Sequence, residues 1–246
     1  MKHTSASRPT EEEFQNHKLQ EGHKFTNPLR DVILGGQDGL VNALGIILGI
    51  AAVTPDVHIL IATVLAASIA ESISMGAVAY TSALAQKDYY HSEREKEKKE
   101  IEEVPEMERE EVRRIYEAKG LQGAVLEEVV NAITANKTTW VDTMMAEELH
   151  IEPVDIQAVI KTSIIVTIAT LIGHFIPLAP FFFVTHVQGL ILAIVLSGIT
   201  LFATGVYQAV TLVGNPWKSG LRMLLIGLGA AAAGYIIAKI FHASTG

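Results

Sequence analysis

The chain has 246 residues, 49% of them hydrophobic and only 19% charged, with a net charge of −8, no cysteine and a mean hydropathy of +0.31. The missing cysteine excludes disulfide frameworks, thiolate catalysis and cysteine metal sites, and the acidity excludes a nucleic-acid binder, which needs clustered Lys and Arg. The charge is also uneven: 19 of the 27 acids lie between Asp88 and Asp155, and beyond residue 31 only Asp38, Asp56 and Glu71 lie outside that block.

Residues 1–28 form a polar tail with Glu11-Glu12-Glu13 and scattered Lys and His. It lacks the apolar core and small-residue cleavage site of a signal peptide, so a surface-lying cytoplasmic extension is expected. Two apolar stretches follow, Val32 to Val53 and Val57 to Ala85, and three more come later, Val159 to Val184, Val187 to Val213 and Leu221 to Phe241. Each exceeds the roughly 20 residues that a helix needs to cross a bilayer core. Pro177 and Pro180 in "FIPLAPFFF" are expected to break the third span near one membrane face.

Between the second and third spans, 86–157 is dense in Glu, Lys and Arg. Strong helix formers run through it, with breaks at Val104-Pro105 and Gly120, further helical pieces over Ala124 to Ala135 and Trp140 to His150, and Pro153 beyond. An apolar seam of Val104, Val112, Ile115, Val129, Val130, Ile133, Trp140 and Leu149 marks a folded helical module. The fold class is therefore all-α: a polytopic membrane protein with five transmembrane helices and a cytoplasmic helical insertion between the second and third. Its parts are the tail 1–28, spans one and two in 29–85, the insertion 86–157 and spans three to five in 158–246. With the N-terminus in the cytosol, 18 of the 19 cations face it and only Lys239 does not, as the positive-inside rule demands.

Ionisable side chains inside a membrane helix are costly, so each is a functional candidate. Asp38 lies in "GGQDGLVNALG" of the first span and Glu71 in "AASIAESISMGAVAY" of the second. Asp38 with Asn42, and Glu71 with Met75, are four apart and share a helix face. Carboxylates with a thioether along one polar line suit a partly dehydrated divalent transition metal, and these four are the candidate transport-pathway residues. In the insertion, Glu97 and Glu100, Glu108 and Glu111, and Met144 and Glu148 stand at helical spacing. Spacing alone leaves two readings open, a solvated helix surface or an oxygen-rich metal cage between facing helices. His174 is expected to be structural or interfacial. Gly35 with Gly39, and Gly45 with Gly49, permit close helix approach, within the chain or in a dimer. No nucleophile constellation, Walker loop, dinucleotide fingerprint or paired-histidine box occurs, so the chain is not expected to be an enzyme or an ATP-driven pump.

The segments "RDVILGGQDGLVNALG", "SISMGAVAY", "VPEMEREEV", "VVNAI", "WVDTMMAEEL" and "GHFIPLAPF" resemble the vacuolar iron transporter family in order and spacing, from Leu29 nearly to the C-terminus. The resemblance implies a homodimer that moves Fe2+ out of the cytosol in exchange for protons, with Mn2+, Co2+ and Zn2+ as further substrates and no permanently bound cofactor. It implies metal ligation by Glu97, Glu100, Glu108, Glu111, Met144 and Glu148, and pathway roles for Asp38 and Met75. Plant members carry the second span's pathway carboxylate one turn earlier, where this chain has Ala67, so Glu71 is expected to replace it. The host membrane would be the plasma membrane of a prokaryote or the vacuolar membrane of a eukaryote. The competing expectation is a membrane-anchored iron store of ferroxidase type that transports nothing.

Overall fold

A computed structural model describes residues 10–11, 28–212 and 214–245, so the expected role of the polar tail falls almost wholly outside it. Every regular element among the described residues is helical. In chain order these are α1 (Pro28–Ala51), α2 (Val57–Glu103), α3 (Pro105–Ala118), α4 (Gly123–Thr134), α5 (Lys137–Thr143), a π-helical turn (Met144–Glu148), α6 (Ile156–Leu178), a 3-10 turn (Ala179–Phe182), α7 (His186–Leu212) and α8 (Pro216–Thr245). Five of them, α1, α2, α6, α7 and α8, are long and apolar enough to cross a membrane.

Surface composition identifies the solvent of these five helices. On α6, Ile164, Ile168 and Ile172 recur every four residues and each is more than half exposed. A water-facing stripe of that kind would forfeit roughly 1.5–3 kcal/mol per side chain, whereas hydrocarbon accepts it without cost. The inward contacts are small or apolar. Leu44 and Ile47 of α1, Leu60 and Val64 of α2, Leu178, Phe181, Ala193 of α7 and Ala231 of α8 form one buried cluster. Helix α1 is the hub, packed against α2, α6, α7 and α8.

Its closest approach is to α6, and glycine permits it. A Cβ on Gly173 would stand 2.2 Å from the Gly36 carbonyl oxygen, and one on Gly39 would stand 2.2 Å from the Thr170 carbonyl oxygen. Gly35 and Gly39 therefore pack within the chain, and Gly45 and Gly49 likewise face Ala231, Gly234 and Ala238 of α8. The first-span glycines thus carry no argument for a dimer. Gly173→Ala should destabilise the detergent-solubilised protein by about 1–3 kcal/mol, because backbone meets backbone and neither side can yield. Gly229→Ala, with nothing within 4 Å of its added methyl, is the neutral control in the same thermal unfolding assay.

Helix α2 departs from the expected layout. It runs unbroken for 47 residues, about 70 Å at 1.5 Å per residue, from its Asp56 cap to Val104. Nothing between Gln86 and Glu103 breaks a helix, so the second span continues into the insertion with no linker. The insertion closes around Ile101, Val112, Leu126, Val130, Trp140, Val141, Met144 and Met145. Val104 was expected in that seam but is 46% exposed, since it serves as the joint between α2 and α3. Helix α5 begins three residues before the expected Trp140 because the Asn136 side chain caps it, accepting from Thr138 and Thr139 N–H. In the third span, Pro177 is accommodated inside α6, and the break comes after Leu178.

Candidate functional site

The candidate residues fall into two groups, one at membrane depth and one in the insertion. At membrane depth a groove of about 620 Å³ runs between α1, α2 and α8, lined among others by Asp38, Asn42, Glu71, Gly45 and Gly234. Asp38 and Asn42 stand exposed on its wall. Glu71 is reached from α1 and from α6: the Asn42 amide donates to its Oε2, and His174 Nε2 lies 2.8 Å from the same oxygen. The His174 ring is fully buried, and its Nδ1 lies 2.7 Å from the Thr170 carbonyl oxygen. Gly39 makes room for that ring, since its Cβ would come within 2.8 Å of Nδ1. Met75 is half-buried one turn beyond Glu71 and does not line the groove.

His174 was expected to be structural, yet it is the side chain that holds a membrane carboxylate. The general rule that an ionisable group within a span is a functional candidate would have found it. What no spacing rule supplies is the partner, which lies 103 residues away in the chain.

The insertion gathers five carboxylates from three elements: Glu97 and Glu100 from the end of α2, Glu108 and Glu111 from α3, and Glu148 from the π-helical turn. Glu97 is 3% exposed and Glu108 5%, and each has an Oε2 without a hydrogen-bond partner. Burial, reinforced by Glu148, Glu100 and Glu111, lifts Glu97 from the usual 4.5 to about 7. Burial, reinforced by Glu111, Glu97, Glu100 and Glu148, does the same for Glu108, again to about 7. Glu148 is raised as well, by burial and then by Glu111 and Glu100. The five therefore lie within electrostatic reach of one another. They do not converge on a point: among the described residues no three His, Asp or Glu side chains form a ready cage for an ion. Mutual repulsion accounts for the spread. Met144 begins the turn that ends at Glu148 and is fully buried in the insertion's apolar core.

The insertion's cations do not neutralise this cluster. Arg113 grips Glu127 with both terminal nitrogens and Arg109 lies 3.6 Å from it. Arg94 pairs with Asp142, Lys98 with Glu95, Lys99 with Glu103, Arg114 with Glu110, Lys119 with Glu147 and Lys137 with Glu102. Only Lys96 approaches the cluster, 4.0 Å from Glu100 and 3.8 Å from Glu93. The ion pairs thus occupy the peripheral acids and leave the central five as a concentrated negative field, suited to collecting hard or borderline divalent cations.

The pH dependence follows with a definite sign. Glu97 and Glu108 bind protons more tightly in the folded chain than in the unfolded one, so their contribution to stability is complete below about pH 4.5. It is lost as pH rises through about 7. Unfolding temperature, followed through buried Trp140 in a Trp217→Phe background, should fall between pH 5.5 and 8. Saturating Mn2+ should abolish that fall by replacing the lost protons.

The model of the VIT family matches residues 29–239. The chain is 30% identical over 233 residues to "Vacuolar iron transporter 1" of Arabidopsis thaliana, covering 94% of this chain and 93% of the relative. It is 29% identical over 232 residues to the protein of the same name from Tulipa gesneriana, covering 94% of each. It is 29% identical over 241 residues to "Vacuolar iron transporter" of Toxoplasma gondii, covering 94% of this chain and 80% of the relative.

Proposed function

The chain belongs to the VIT family, and from that premise we propose that it exports Fe2+, or Mn2+ and other divalent transition metals, from the cytosol in exchange for protons. The observation that carries this reading is the segregation of charge in the insertion, where eight cations hold the outer acids and the five inner carboxylates face only Lys96. Because α2 joins the insertion to the second span without a break, Glu97 and Glu100 of the cluster sit on the same rod as Glu71.

In this mechanism the cluster raises the local concentration of Fe2+, and Glu97 and Glu108 give up their protons as the ion enters. The ion then passes to Asp38 on the groove wall. The insertion and N-terminus are cytosolic, consistent with the placement of Lys and Arg. A second copy of the chain covers the groove, since Asp38 and Asn42 stand exposed at membrane depth and polar side chains do not face hydrocarbon. Protons arriving from a more acidic outer compartment then reset the acids.

Purified protein in liposomes with an imposed pH gradient tests the reading. Metal uptake and proton movement are followed together for Fe2+, Mn2+, Co2+ and Zn2+. Coupled, opposed fluxes are expected. Oxygen-dependent oxidation of Fe2+ without its translocation would instead support an iron store of ferroxidase type.

A further inference from the structure

On the side of α1 away from the Asp38 groove, the bundle has a second opening. A cleft of about 510 Å³ lies between α1, α6 and α7, walled by Ile33 and Leu40, Ile172 and Ile176, Ile199 and Leu201. Its threonine hydroxyls are satisfied within their own helix: Thr200 donates to the Leu196 carbonyl and Thr204 to the Thr200 carbonyl, each at 2.8 Å. Ile172 and Ile199 at its lips are more than half exposed, so the cleft opens sideways to the hydrocarbon that surrounds the helices. An empty apolar cleft forfeits dispersion contacts along its whole wall, and an acyl chain restores them.

The cleft is graded along its length. Two longer polar side chains, Gln37 and Tyr207, line the end on the insertion's side of the membrane, where α1 begins and α7 finishes. Two cations stand just beyond. Gly35 faces Val166 and Gly39 faces Thr170, so α1 and α6 run side by side in the same direction. Arg30 comes nine residues before Gly39 and Lys161 nine before Thr170, which puts both at one level, about 14 Å toward the insertion. Arg30 also precedes Gln37 by seven residues and Lys161 precedes Ile172 by eleven, close to whole numbers of turns, so each shares a face that lines the cleft. Both are exposed, and among the described residues neither enters an ion pair. Asp31, the neighbouring acid, is turned about 100° round the helix from Arg30. Tyr207 falls between the levels: Leu201 packs with Leu40, and six residues further along α7 is about 9 Å toward the insertion. The order is hydrocarbon, then amide and phenol, then two positive charges. An acidic phospholipid has the matching order of acyl chain, ester and phosphate.

We propose that this cleft binds one acidic phospholipid of the insertion-side leaflet, its chain between α1, α6 and α7 and its phosphate between Arg30 and Lys161. The site goes beyond the proposed exchange and does not rest on it. Asp38 and Asn42 line the groove on the far side of α1, so the lipid backs the helix that forms the groove wall without entering the groove. Gly36 and Gly173, at the closest approach of α1 and α6, line the same cleft, and the chain covers that contact.

The full chain, purified in detergent and stripped of lipid, tests the site. Its unfolding temperature is followed as phosphatidylglycerol or phosphatidylcholine of identical chains is added. A lipid that binds only the folded state raises that temperature, and two cations at the headgroup should let phosphatidylglycerol act at a concentration at least about 10-fold lower. The preference should vanish in Arg30→Gln with Lys161→Gln. It should persist in Lys218→Gln with Arg222→Gln, two cations at the start of α8. Ala203→Trp, which fills the cleft from α7, should also lose it. If Ala203→Trp fails to fold, Ile172→Trp in a Trp217→Phe background decides: phosphatidylglycerol with brominated chains should quench the new tryptophan at least about 10-fold more effectively than its phosphatidylcholine counterpart. Equal action of the two lipids, equal stabilisation by glycerol phosphate without a chain, or loss of the preference in the Lys218 and Arg222 variant overturns the proposal. So does disulfide pairing of two chains through Ala203→Cys, the sole cysteine in that variant, which would put a second copy in the cleft. The readout is stability rather than flux, so failure of the exchange reading leaves this result intact.

Discussion

Asp38→Asn should lower coupled metal transport by about 100-fold or more while leaving the protein folded. The Asp38 carboxylate lines the groove, and the asparagine keeps its shape without an ionisable group. Removing one partner from a charge pair in a low-dielectric site costs about 3 kcal/mol or more, and every 1.4 kcal/mol is a tenfold loss of occupancy. The fold is insulated from the change because Asp38 stands exposed on the chain's own surface. The measurement is initial Mn2+ flux into liposomes, with unfolding temperature as control. Flux within threefold of wild type would remove Asp38 from the pathway. A stability loss comparable to that of Gly173→Ala would instead assign it a structural role.

Joint substitution of Glu97→Gln and Glu108→Gln should have opposite effects on stability and on metal binding. Both side chains are nearly buried, and both hold an oxygen without a partner. Above pH 7 each is an ionised group in poor solvent, pressed by like charges, so the neutral isostere relieves strain. The double variant should unfold at a higher temperature than wild type at pH 8, with the gap narrowing as pH falls and closing below about pH 4.5, where the natural acids are protonated in the folded and unfolded chain alike. Its affinity for Mn2+ should fall at least about 30-fold, in line with loss of two charge-assisted ligands of roughly 1–1.5 kcal/mol each. Titration calorimetry in two buffers of different ionisation enthalpy measures both the affinity and the protons released. Unchanged affinity would show that Glu100, Glu111 and Glu148 suffice. Lower stability at pH 8 would show that the carboxylates are paired by groups other than those seen.

Much of the architecture was legible because hydrophobic length and charge act locally. Five stretches too apolar for water became five long helices, and a block of Glu, Lys and Arg became a folded insertion. The same local character limited the reading at the joints. Val104 seemed to belong to an apolar face, yet as the residue between α2 and α3 it faces outward. The boundary set after Ala85 was a change of composition, and a helix continues through a change of composition unless a residue breaks its backbone pattern. Pro177 and Pro180 were read as breaking the third span, and the α-helix does end between them, at Leu178, with a 3-10 turn over Ala179–Phe182.

The six candidate metal residues show the same limit. Helical spacing placed Glu97 beside Glu100 and Glu108 beside Glu111, but two readings survived, since a solvated surface has the same spacing. Although no three His, Asp or Glu side chains among the described residues form a cage, burial of Glu97 and Glu108 and the pairing of the surrounding cations speak against the solvated surface. Those depend on Arg113 meeting Glu127 and Lys137 meeting Glu102 across helices, which spacing within one helix does not encode. Met144 was grouped with the carboxylates by spacing, and the fold sets it in the apolar core.

By itself, then, the sequence determined the solvent of each segment, the all-helical class, the excess of acid in the insertion and the two acids at membrane depth, Asp38 and Glu71. Each of these follows from composition and from distances of a few residues along one helix. Only the tertiary structure decided which charges in the insertion are paired across helices, and that Glu71 meets a histidine 103 residues away in the chain. The physical reason is that a charge's role is set by what surrounds it within about 4 Å. In a helical bundle those neighbours come from other helices, brought there by glycines such as Gly39 and Gly173 that let backbones touch.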